Sequence, residues 1–160
     1  MPETMKNLDE ALGKRGLTMP RPPPSGGLYE NVREFGPNLA YLSGVLSHVD
    51  GKIPHPGKIN QEVTVEQAVR AAEICAFNLL ANIMEKYGSL DRVKRIVKMT
   101  VYVVPADGFY ALSQVSNGAS QVFVDVFGRE NGLAARSTIA VASLVGNGPV
   151  EIEVLIELHP

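Results

Sequence analysis

The alternation of apolar and charged positions is cleanest at the end of the chain. Val150, Ile152, Val154, Ile156 and Leu158 alternate with Glu151, Glu153, Leu155 and Glu157. That period of 2 predicts a strand with one face on a core and a carboxylate row on the other. A Gly-rich connection separates it from a second strand starting at Arg136. There Arg136, Thr138, Ala140 and Ala142 share one face, and Ser137, Ile139, Val141 and Ser143 the other. Upstream, 93–104 predicts a strand with Val97, Met99, Val101 and Val103 on one face, Lys98, Thr100 and Tyr102 on the other, and Pro105 as its stop. Residues 28–35 and 39–44 predict a hairpin across the turn Gly36-Pro37-Asn38.

Helical spacing marks 64–87, where Val65, Ala68, Ala72, Cys75, Leu79 and Ile83 form a stripe. Thr64 with Gln67 predicts a capping box, and Gly88 a left-handed stop. A second helix is predicted over 108–127, capped by Asp107 and ended by Gly128, with 129–135 as a loop. Gly118 in its middle costs up to about 1 kcal/mol against Ala, which signals a close approach. Residues 5–15 predict a short helix ended by Gly16. The run MPRPPPSGG (19–27) that follows admits no regular structure; it is either a loose arm or one laid over the domain or a neighbouring subunit. We therefore divide the chain into a helix and Pro-rich arm (1–25) and one domain (26–160).

The element order β-β-α-β-α-β-β predicts an α+β two-layer sandwich with both helices on one side of the sheet. The opposite sheet face is too apolar for water and too polar for a core, which suits subunit contact.

Composition narrows the chemistry. At 160 residues, one domain burying roughly 70% of its unfolded surface is expected. The net charge of −2 provides no basic surface for nucleic acid. One cysteine suits a reducing, cytoplasmic setting, and its place on the apolar stripe makes Cys75 a core thiol. Neither a secretory leader nor an 18-residue apolar run is present, so no membrane association is expected. His48 and His55 flank Asp50 in a Pro- and Gly-rich loop, which reads as solvated rather than as a metal site. P-loop, dinucleotide and nucleophile-elbow patterns are absent, and no cofactor is expected. Arg136 is the most promising group, because a planar guanidinium grips a carboxylate through two parallel charge-assisted hydrogen bonds. The alternative is a structural salt bridge to Glu130 or Glu157.

LYENVREFG, then YLSG, then ARSTIAVASL, then VEIEV, in that order, resembles the RidA/YjgF family of reactive-intermediate deaminases, also called endoribonuclease L-PSP. The likeness covers roughly 26–158, and the N-terminal helix, the arm and SNGAS resemble its longer branch. It implies a chorismate-mutase-like fold, a homotrimer around a central barrel, and ligand clefts between subunits. It also implies that the final strand lies centrally beside the 93–104 strand, with the Arg136 strand beyond. By the same resemblance, Arg136 clamps a substrate carboxylate and Glu151 orients or activates a water. Tyr29, Ser43, Gly44 and Asn117 then line the cleft, together with the backbone at Thr138, where many members carry cysteine. Ala140, in place of an acidic residue, and the VGNGP loop are further departures. The implied activity is cofactor-free hydrolysis of 2-enamines and 2-imines to 2-keto acids, as in a 2-iminobutanoate/2-iminopropanoate deaminase. A non-catalytic trimeric binder of small carboxylates is the alternative; a ribonuclease is disfavoured by the charge.

Overall fold

Thr64 opens the longest helix by the reciprocal pairing its sequence calls for. Its Oγ1 accepts from the Gln67 N–H at 3.1 Å, and the Gln67 side chain accepts from the Thr64 N–H at 2.9 Å. The computed structural model describes residues 1–160. In it the elements run α1 (Glu3–Gly13), β1 (Val32–Phe35), β2 (Leu39–Leu46), α2 (Val65–Tyr87), β3 (Val93–Val103), α3 (Leu112–Gly132), β4 (Ala135–Ala140) and β5 (Val150–Leu158). Gly88 at φ 74° closes α2, its N–H donating to the Met84 carbonyl.

The five strands form one mixed sheet in the order β1-β2-β5-β3-β4. β5 runs antiparallel to both its neighbours, β2 and β3, and β4 lies parallel to β3 at the edge. The final strand is therefore central, and the Arg136 strand is separated from it by β3. This is the strand order that the resemblance implies. Central placement explains the strict alternation of β5: Val150, Ile152, Val154, Ile156 and Leu158 are all buried under the helices.

α2 and α3 cover one face of the sheet and meet at Gly118. A Cβ there would stand 2.6 Å from the Val69 carbonyl oxygen, so only glycine permits the approach. Ala68, Ala71, Ala72 and Ala76 are buried on α2, and Cys75 is buried among them. Its thiol lies 3.6 Å from the Val150 carbonyl, and burial pushes its pKa well up.

Four expectations need correction. β1 starts at Val32 rather than Leu28, because the chain turns at Gly27, whose carbonyl accepts from the Tyr29 N–H. Val97 is not on the buried face of β3. Register shifts around Arg95 and Lys98 turn Ile96 inward instead. α3 begins at Leu112, and Asp107 does not cap it. Gly108 at φ 83° and a turn from Ala106 to Phe109 delay the helix. Gly128 at φ 76° breaks the helix as expected, but a further helical turn follows to Gly132.

α1 packs against the outside of α3. Leu8, Ala11 and Leu12 join the core, and Asn7 donates to the Val126 carbonyl. Arg15 pins this helix to the other two. It binds Glu73 on α2 and Asp125 on α3 at 2.9 Å each, and its guanidinium lies 5.8 Å from the Phe77 ring centre.

Candidate functional site

Arg136 pairs in register with Met99, and Thr138 with Val101. Both side chains therefore point to the helical side of the sheet, at its open edge. One guanidinium nitrogen, Nη1, donates to Asn117 Oδ1 at 2.8 Å and to Ser120 Oγ at 2.9 Å, both on α3. No carboxylate balances the charge. The five ion pairs of the chain all involve other residues, and Glu157 is taken by Lys94 and Arg95. The structural salt bridge weighed as the alternative for Arg136 is thus absent. Neutral oxygens hold the guanidinium by one corner, leaving Nε and Nη2 without a protein partner. Partial burial lowers its pKa from the usual arginine value.

Thr138 is tied to the same helix: its Oγ1 lies 2.5 Å from Ser116 Oγ. Asn117, expected from the resemblance to line the cleft, stands beside Arg136. Ser116 and Ser120, which end the SNGAS segment, were not among the expected site residues. Their signal was a polar stripe, Ser116, Asn117 and Ser120, on the side of α3 that meets β4.

Glu151 belongs to a different surface. It pairs with Tyr102 on one side and Leu46 on the other, so its side chain leaves the sheet away from the helices. β2 shifts register between Leu42 and Val45. This places the Gly44 backbone directly beneath the Glu151 carboxylate. A Cβ at Gly44 would stand 2.1 Å from Glu151 Oε1 and 3.0 Å from its Cδ. The tight fit is what requires glycine here. Glu151 has no hydrogen-bond partner in the chain. Burial first, and the neighbouring Glu153 second, raise its pKa above the ordinary carboxylate value. Glu153 Oε1 accepts from the Tyr102 phenol at 3.1 Å and, more loosely, from that of Tyr41 at 3.5 Å. Lys98 donates to Ser137 at 2.6 Å on the same surface. Nothing in the chain covers this face, and Tyr41 and Ile139 are exposed on it.

Ser43 precedes Gly44 on β2, whereas Tyr29 lies before the first hairpin and shares a small cleft with Asn82, Glu85 and Lys86 of α2. The Ser43 hydroxyl donates to the Glu30 carbonyl at 2.7 Å, and its N–H to the Asn31 carbonyl. Half-exposed Tyr29 accepts from the Gly26 N–H through its phenol oxygen at 2.9 Å. The predicted residues thus fall into three places: Arg136, Asn117 and Thr138 at the β4–α3 edge, Glu151, Gly44 and Ser43 on β5 and β2, and Tyr29 before the first hairpin beside α2. Within one chain the sheet separates Arg136 from Glu151.

A groove of about 920 Å³ lies elsewhere, between the Pro-rich arm, the His48–Gly51 loop and Phe77 and Asn78 of α2. None of the predicted site residues lines it. No three His, Cys, Asp or Glu side chains converge on a point where a metal ion could bind. No helix is long and apolar enough to cross a membrane.

The sheet and helices described above are shared with known proteins. The endoribonuclease L-PSP family model matches residues 28–158. The chain belongs to this family, the RidA/YjgF family. Among its relatives, protein TCP17 of Trypanosoma cruzi is 37% identical over 154 residues, covering 84% of this chain and 96% of that protein. The crystal structure of an Agrobacterium tumefaciens protein of unknown function is 33% identical. It aligns over 97% of this chain and 94% of its own with a TM-score of 0.86. RidA from an Antarctic Psychrobacter shares the fold at 24% identity and a TM-score of 0.57, covering 86% of this chain and 94% of its own. Membership of the L-PSP family bears out the family expected from the sequence, and the mixed five-stranded sheet the α+β class, with a third helix, α1, beside the two expected in the domain.

Proposed function

We propose that the chain hydrolyses reactive 2-enamine and 2-imine intermediates to 2-keto acids and ammonia. The observation that carries this reading is Arg136, a part-buried guanidinium with no anionic partner, clamped by α3 so that one edge stays open. That edge suits the carboxylate of a small 2-imino acid. Because the sheet divides Arg136 from Glu151, the site is completed by a neighbouring subunit of a homotrimer. The uncovered sheet face, with Tyr41, Tyr102, Lys98 and Ile139, is the surface that suits this contact.

In the shared cleft Arg136 fixes the carboxylate, assisted by the Thr138 N–H. The neighbour supplies Glu151, seated on Gly44, with Ser43 and Tyr29 at the rim. Glu151, with its raised proton affinity, takes a proton from water as that water adds to the C=N carbon. Glu151 passes that proton to the nitrogen, the new hydroxyl gives up its own proton to the nitrogen through Glu151 as the C–N bond breaks, ammonia leaves, and the former water oxygen becomes the keto oxygen. No electron is transferred to or from the substrate, so the balance calls for water alone. The intrinsic reaction is quick, and positioning and charge suffice to accelerate it.

The test is keto-acid release from imines generated by an amino-acid oxidase. Arg136→Ala is expected to abolish the acceleration while the assembly stays intact by light scattering. Unchanged acceleration in that variant would remove the assignment. A wild-type protein that binds carboxylates without accelerating hydrolysis would instead be the carboxylate-binding protein.

A further inference from the structure

Ser116 and Thr138 form a directed pair. Ser116 is fully buried on α3. Its Oγ is 3.3 Å from the Leu112 carbonyl oxygen and 2.5 Å from Thr138 Oγ1. A hydroxyl has one proton to give, and a carbonyl oxygen can only accept. The contact with Leu112 is a hydrogen bond only when Ser116 donates, and Ser116 can then only accept from Thr138. Both contacts are satisfied together in one arrangement: Thr138 donates to Ser116, and Ser116 donates to the Leu112 carbonyl. The proton of Thr138 is thus committed inward, and lone pairs are all its hydroxyl offers outward. Thr138 also stands two residues from Arg136 on the same face of the same strand.

We propose that Thr138 is a specificity-determining residue that accepts, and does not donate, a hydrogen bond at the 2-position of a ligand anchored on Arg136. The site then selects a 2-imino or 2-amino group, which carries N–H, over a 2-oxo group, which does not. This rests on the reading of Arg136 as the carboxylate anchor. An acceptor facing the imine nitrogen favours its protonated form, the better electrophile for water. After hydrolysis the keto oxygen turns lone pairs toward lone pairs, so product is held less tightly than substrate. Ser116 is the positioning residue that fixes this polarity. A cysteine at position 138, a weaker acceptor and donor, would blunt the selection.

The experiment is calorimetric titration of the full-length wild type, Thr138→Val and Ser116→Ala with butanoate, 2-oxobutanoate and 2-aminobutanoate. Each affinity is expressed relative to the same protein's affinity for butanoate. The wild type is expected to prefer the amino over the oxo ligand. Thr138→Val should lower that preference about tenfold, the worth of one hydrogen bond to a charged donor. Ser116→Ala should lower it too, but through tighter 2-oxobutanoate binding, because the freed Thr138 hydroxyl can turn and donate. A merely structural role for Ser116 would weaken all three ligands together. Unchanged preference in both variants, with butanoate still bound, overturns the proposal and leaves the Arg136 anchor standing. A wild type that binds no butanoate overturns both. If Thr138→Val fails to fold, the direction of the Ser116→Ala change alone decides.

Discussion

Gly44→Ala would place a methyl group 2.1 Å from Glu151 Oε1, 3.0 Å from Cδ and 3.1 Å from Cγ. Ordinary contact needs roughly 3.5 Å, so the carboxylate must move by more than about 1 Å. The obstacle is the end of a flexible side chain rather than backbone. The cost to folding is therefore that of modest overpacking, about 1–3 kcal/mol. For a domain of this size it lowers Tm on the order of 5 °C. The catalytic cost is larger, since a misplaced acid–base group forfeits about 100-fold or more in rate. Keto-acid release from an oxidase-generated imine should show that fall in kcat/KM, and calorimetric melting the loss of stability. The double variant Gly44→Ala/Glu151→Ala isolates the cause. Truncating Glu151 removes Cγ, Cδ and both oxygens, so adding the Gly44 methyl should then cost little further stability. An equal Tm loss in both backgrounds would refute the claim that the glycine exists to seat this carboxylate.

The other predictions concern pH, the N-terminal helix and the helix crossing. Burial and Glu153 hold the Glu151 carboxyl above its ordinary pKa, so the folded chain keeps a proton that the unfolded chain has already lost. Stability attributable to Glu151 should therefore fall as pH rises from about 4.5 through the raised value. Denaturant midpoints of wild type minus Glu151→Gln should decline across that window; a rising difference contradicts the assignment. Arg15→Ala takes one partner each from Glu73, which keeps Arg70, and Asp125, which keeps Gln121, and should cost about 2–3 kcal/mol in urea unfolding through the two lost charge-assisted hydrogen bonds. Proteolysis should then cut near α1 first, and an unchanged midpoint would show that Arg15 does not pin the helix. Helix propensity alone predicts that Gly118→Ala stabilises by up to about 1 kcal/mol. The 2.6 Å approach to the Val69 carbonyl predicts net destabilisation instead, and the sign of the Tm change decides between them.

Period and capping carried most of the fold in the sequence. The strict alternation of β5 foretold the buried central strand, and Thr64, Gln67 and Gly88 set the ends of α2. β3 was less legible, because a register shift is a relation to a neighbouring strand and leaves no mark in a local pattern. It exchanged Val97 for Ile96 on the buried face. Asp107 looked like a cap, but Gly108 follows it in a left-handed conformation that a helix cannot enter. Of the candidate site, Arg136, Glu151 and Gly44 were visible as motif residues. That Arg136 and Glu151 leave opposite faces of the sheet was not, since register comes from long-range pairing. Ser116 and Ser120 matter only through what β4 places against them.

The central claim, a site divided between subunits, has a direct measurement. Arg136→Ala and Glu151→Ala, each inactive alone, are unfolded together and refolded as mixed oligomers. If the cleft joins Arg136 of one subunit to Glu151 of the next, random mixing in a cyclic assembly regenerates about a quarter of the wild-type sites. Activity should return to about that level. Activity no higher than that of the two separate variants, in oligomers verified as mixed, would contradict the account.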